Sequence, residues 1–135
     1  MCLYFFASKI LILSKPSISN VFHWLFDILP KIKISSEYYN LKKINYFYLS
    51  ELQNFQKEIL SLIGLKKIKI IDSNKFRHIQ SNKIIVPEHP WYLKGKILNE
   101  VNNMPIWIIK WLRKTFINKG KKTNIGKNWR HLSGL

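Results

Sequence analysis

The 135-residue sequence predicts an α/β fold, a parallel sheet flanked by helices. Three observations carry that expectation. Short apolar or aromatic runs at residues 3–13, 44–49 and 67–72 have the length and make-up of strands. Runs with apolar residues repeating at helical spacing lie between them, at residues 21–32 and 52–63. Turn and cap signals separate the two kinds of run, and that alternation is the pattern of βαβ units. Hydrophobic residues at 47% and charged residues at 22% fit a folded chain of one-domain size.

The elements follow in order. Residues 3–13 are expected as a buried strand ending at the Ser14-Lys15-Pro16 break. Ser19 and Asn20 are helix start signals, and the helix over 21–32 carries Pro30, expected to kink or end it in its last turn. A polar loop is expected over 35–43, then an aromatic strand over 44–49. Ser50 and Gln53 form a capping-box pattern for a helix whose apolar face is Leu52, Phe55, Ile59, Leu62 and Ile63, stopped by Gly64. A strand at 67–72 and two short ones at 76–79 and 83–86 follow, with Pro87 and Pro90 marking the exit loop. Pro105 opens a last helix to about residue 118. Residues 119–135 have three glycines and no periodicity, and are expected as a low-information or disordered tail. Together these elements predict one Rossmann-like half over 1–118. Such sheets bind ligands beyond the carboxyl ends of their strands, a place that residues 14–23 would occupy.

Composition removes several classes. The apolar run near the start is broken by Ser8 and Lys9, and falls short of the roughly 20 residues that a membrane span needs. No Lys or Arg precedes it as in a secretory signal. The single cysteine, Cys2, excludes an intrachain disulfide and a multi-cysteine zinc site. The net charge of +16 points to a polyanion. Against that, 20 of the 23 basic residues are Lys, and Lys, Ile and Asn make 53 of the 135 residues. All three have A/T-rich codons, so a biased genome accounts for the balance. Aromatic residues interleaved with Lys over 38–48 could stack bases. Without a helix-turn-helix, zinc-finger or RNA-recognition motif, nucleic acid is not an expected partner.

The first helix is the most informative segment. Its side chains are nearly all apolar apart from Asn20, His23, Asp27 and Lys31, spaced by three, four and four residues. They therefore share one stripe. A buried, unpaired Asp is costly, so the stripe must face a cleft or a satisfied internal network. In one reading His23 and Asp27 pair on the solvent side of the helix. In the other the stripe lines a substrate cleft, where Asp27 orients His23 or acts as a general base toward a hydroxyl.

The string Asn20-Val21-Phe22-His23-Trp24-Leu25-Phe26-Asp27-Ile28-Leu29-Pro30-Lys31 resembles the signature block of glycosyltransferase family 61. Two further blocks agree in order and spacing. Phe55-Gln56-Lys57-Glu58-Ile59-Leu60-Ser61-Leu62-Ile63-Gly64 is similar to the family's helix with its Leu-x-Gly turn. Lys83-Ile84-Ile85-Val86-Pro87, then Pro90 and Trp111-Leu112-Arg113, is similar to its strand-Val-Pro loop and Leu-Arg helix. The likeness covers roughly residues 16–116.

The resemblance implies the N-terminal, acceptor-side half of a two-domain GT-B-type enzyme with paired Rossmann-like halves. It implies inverting transfer of a sugar from a nucleotide-sugar donor to a glycan or glycoprotein hydroxyl, in bacteria often for capsular or surface polysaccharide. Catalytic roles then fall on His23 and Asp27, and substrate contacts on Asn20 and Lys31, with Pro30 structural. Asp27 would be a base or an acceptor for the incoming hydroxyl, and His23 would orient it or contact the donor phosphate. No cofactor and no metal are implied, the nucleotide sugar being a substrate and no Asp-x-Asp pair being present. The family's Ile-Ser-Arg strand and His-Gly-Ala block do not occur here. The chain is therefore expected to be a truncated form lacking the C-terminal donor domain, with little or no activity alone. The expected partners are nucleotide sugar, glycan acceptor and a chain carrying the missing half. The expected location is cytoplasmic, with peripheral contact at the inner membrane.

The alternative is a basic membrane-surface or partner-binding protein without catalysis. Its basis is the helix from Pro105, with Trp107 and Trp111 one turn apart, Lys110, Arg113 and Lys114 beside them, and no acidic residue after Glu100.

Overall fold

The computed structural model describes residues 4–13, 20–90 and 104–120. The expectations for Ser19, the Ser14–Pro16 break and the tail from residue 121 lie outside the described residues. The chain divides into two compact units, Met1–Tyr92 and Leu93–Leu135. The domain expected over 1–118 takes in all of the first and part of the second.

The first unit is a four-stranded, all-parallel sheet in the order β3-β2-β1-β4. Its strands are β1 (Tyr4–Ile12), β2 (Tyr46–Leu49), β3 (Lys69–Asp72) and β4 (His78–Ile85). Register sets Ile10 beside Tyr46 and Ile84, and Tyr46 beside Lys69. The α/β class with a parallel sheet and flanking helices is thus as the sequence predicts. The two short strands expected at 76–79 and 83–86 are one strand, β4. Gln80, Ser81 and Asn82 read as a break, but an edge strand keeps one side in water and tolerates polar residues there.

Between β1 and β2 runs a continuous helical rod. It consists of α1 (Val21–His23), a π-helical turn (Trp24–Ile28) and α2 (Leu29–Tyr38). Asn20 caps it, its side-chain oxygen accepting from the Phe22 N–H at 2.8 Å. Pro30 does not end the helix. In an α-helix its ring would clash with the carbonyl four residues back. Here the preceding turn is wider, with the Leu29 N–H bonded to the Trp24 carbonyl, and Pro30 falls in the first turn of α2. The loop expected from residue 35 begins only after Tyr38. Ile32 and Ser35 extend the buried face set by Trp24, Ile28 and Leu29, and Lys33 pairs with Glu37 at 3.4 Å. Packing overrides the poor helix propensity of Ser35-Ser36.

β2 leads into α3 (Asn54–Leu62). The capping box is Gln53 with Gln56, three residues later than the expected Ser50 with Gln53; the Gln53 N–H donates to Gln56 Oε1 at 2.8 Å. The buried line of α3 is Leu52, Gln56 and Leu60, while Phe55, Ile59, Leu62 and Ile63 are half-buried. Gly64 ends the helix at φ +85°, in the left-handed region. A Cβ there would meet nothing within 4 Å. Gly64→Ala is therefore expected to cost only the backbone term, about 1 kcal/mol in chemical denaturation.

The two helical crossovers step the same way along the sheet, so right-handed connections put both on one face. Leu11, Leu13, Phe47 and Leu49 point into that layer and are fully buried. The opposite face carries Ile10 and Ile71, with Ile12, Tyr46, Tyr48, Phe76 and Ile79 packed around them. It is crossed by the strap 73–77, where the Tyr48 hydroxyl donates to the Phe76 carbonyl at 2.8 Å. The second unit contains α4 (Ile106–Gly120).

Candidate functional site

The strand order turns around between β1 and β4. From β1 the chain moves to β2 on one side, and β4 lies on the other. In open parallel sheets the crevice outside the carboxyl ends at such a point is the usual ligand site. Leu11 pairs with Ile85, so the carboxyl ends of β1 and β4 are neighbours. The helical rod begins after β1, and the segment 86–90 leaves β4.

These two segments meet at Asp27. Its Oδ2 lies 2.7 Å from His23 Nδ1 and its Oδ1 lies 2.9 Å from His89 Nε2. The carboxylate is completely buried, whereas His23 and His89 keep side-chain exposures of 32% and 21%. Each half of the contact has a local cause. His23 and Asp27 are one turn apart on the rod. Pro87 and Pro90 flank the segment that brings His89 from beyond β4. A carboxylate only accepts hydrogen bonds, so each imidazole presents an N–H to it. In the neutral ring this leaves His23 Nε2 and His89 Nδ1 with lone pairs.

Of the two sequence readings of the stripe, neither is complete. His23 and Asp27 do pair, but Asp27 is inside the fold, in a network whose third member the helix does not contain. Both carboxylate oxygens are engaged, so the parts of the cluster that reach solvent are the two histidines. Asn20 is exposed and its side-chain oxygen caps the helix, while Lys31 is half-buried one turn beyond Asp27. Phe22, 41% exposed, stands edge-on to the His23 ring at 5.7 Å and beside Phe26 at 5.0 Å. Nearby, the Nε1 of the fully buried Trp24 has no hydrogen-bond partner among the described residues.

Sequence reasoning missed His89, which lies 62 residues from Asp27. The available signal was a lone histidine between two prolines just past a strand, at the carboxyl end of the sheet. Among the described residues, no group of three or more His, Cys, Asp or Glu is arranged to hold a metal ion. No known protein family, curated protein or solved structure matches the chain.

Proposed function

We infer that the chain is the acceptor-side half of an inverting sugar transferase, as its likeness to glycosyltransferase family 61 implies. The observation that supports this most is the His23–Asp27–His89 cluster beside the crevice between β1 and β4. In this reading His23 is the base. Its Nδ1–H is donated to Asp27, so Nε2, the far tip of the ring, takes the proton of the acceptor hydroxyl. That oxygen bonds to the anomeric carbon of the donor sugar as the bond to the nucleoside diphosphate breaks. Asp27 does not touch substrate; it fixes the ring's tautomer and stabilises the imidazolium as it forms, as in other His–carboxylate pairs. His89 holds the other carboxylate oxygen through Nε2 and so fixes Asp27 from the side opposite His23. The exposed Phe22 ring offers an apolar wall for a pyranose face.

The test is imidazole-resolved NMR of the full chain, titrated with a panel of surface-polysaccharide oligosaccharides and with nucleotide sugars. Oligosaccharides are expected to move the His23 and His89 ring signals, and nucleotide sugars alone to leave them in place. Rings that stay unmoved by every oligosaccharide at millimolar concentration would end this reading.

A further inference from the structure

The exposed side of α4 carries three isoleucines. Among the residues of α4 whose side chains are described, Ile106, Ile109, Lys110, Arg113, Lys114 and Ile117 are exposed, while Ile108 and Leu112 are buried. At 100° per residue the exposed six occupy one continuous arc of about 140°. Ile109, Ile106 and Ile117 fall across the arc with Arg113 among them, and Lys110 and Lys114 lie along one flank. The isoleucines are 37%, 62% and 50% exposed at positions 109, 106 and 117. A helix of a folded unit ordinarily turns a polar side to water. Here both sides are apolar, and the exposed side adds three cations with no acidic residue on α4. Trp107 and Trp111, which made this helix conspicuous in the sequence, are only half-buried flanks of the inner side.

We propose that this face docks on a bilayer surface bearing anionic headgroups. The charge chooses this occupant: Lys110, Arg113 and Lys114 share the exposed face with the isoleucines, and no Asp or Glu follows Glu100 in the sequence. Isoleucines seat in the boundary between headgroups and acyl chains while Lys and Arg meet the lipid phosphates. Docking of this kind lies flat, and among the described residues no helix is long and apolar enough to cross a membrane.

The experiment is sedimentation of the full chain with vesicles of phosphatidylcholine alone and with phosphatidylglycerol added. Wild type is expected to sediment with the anionic vesicles and not with the neutral ones. The variant Ile106→Ser/Ile109→Ser/Ile117→Ser is expected to bind roughly tenfold more weakly or worse, at unchanged net charge. Lys110→Gln, Arg113→Gln and Lys114→Gln are each expected to weaken binding about fivefold. All six positions are exposed, so the variants are expected to keep the wild-type circular dichroism spectrum. Adsorption that survives loss of the isoleucines would mean that net charge alone holds the chain to the lipid, and would overturn the proposal. So would equal binding to both vesicle types, or none to either.

Discussion

Asp27→Asn is expected to change the chemistry of the cluster far more than its stability. Asparagine keeps one acceptor oxygen and replaces the other with an NH2 donor. Two imidazole N–H groups now face Asp27, at 2.7 and 2.9 Å. With asparagine, one of them must become an acceptor, and its proton moves to the outward nitrogen. If the ring that switches is His23, Nε2 carries the proton and no longer serves as a base. Loss of that role is expected to lower sugar transfer about 10²–10⁴-fold in any assembly that supports it. Folding stability should fall by only about 1–2 kcal/mol, because the histidines are partly exposed and water takes over part of the lost bonding. Nitrogen-15 shifts of the rings report the tautomers directly. Wild type should show His23 as the Nδ1–H form and His89 as the Nε2–H form, and the variant should invert one of them. An Asp27→Asn chain with both tautomers unchanged would show that the carboxylate does not set them, and the positioning role would fall with it.

Much of this cluster was legible in the sequence for a simple reason. A helix places residues three and four apart on one face, so Asn20, His23, Asp27 and Lys31 announce a stripe without any tertiary information. The fold class was legible for the same kind of reason, because strand-length and helix-length apolar runs alternate. Tertiary terms decided the rest. Pro30 carries the local signal of a helix end, but the π turn before it accommodates the ring while Trp24, Ile28 and Leu29 stay fully buried. Ser50-x-x-Gln53 is the better box pattern by local signal, since Ser is a preferred N-cap and Gln is not; the second candidate is Gln53-x-x-Gln56. The structure uses the second, whose Gln56 is fully buried in line with Leu52 and Leu60. His89 was illegible because nothing local ties it to Asp27. Only the order of strands, which sets β4 beside β1, brings the two segments within reach.

The same strand order implies a mechanical asymmetry between the two faces of the sheet. Phe47→Ala is expected to cost about 3–5 kcal/mol, since the ring is fully buried in the layer between sheet and helices and its loss leaves a cavity as well as forfeiting transfer energy. Against a total of roughly 5–15 kcal/mol for a domain, that is enough to bring the midpoint of urea unfolding down by about 2 M. Tyr46, its neighbour on β2, points to the other face and is half-buried, with Lys69 Nζ 6.0 Å from its ring centroid. Truncation there removes less buried surface and leaves a site that water can enter. Tyr46→Ala is accordingly expected to lose less than half as much. Ile84→Ala, at a position 48% exposed, should change stability by about 0.5 kcal/mol or less. Equal losses for Phe47→Ala and Tyr46→Ala would mean that the strapped face carries as much of the fold as the helical one. The two right-handed crossovers could then no longer be credited with holding the sheet, or with keeping the rod that carries His23 and Asp27 in place beside β1.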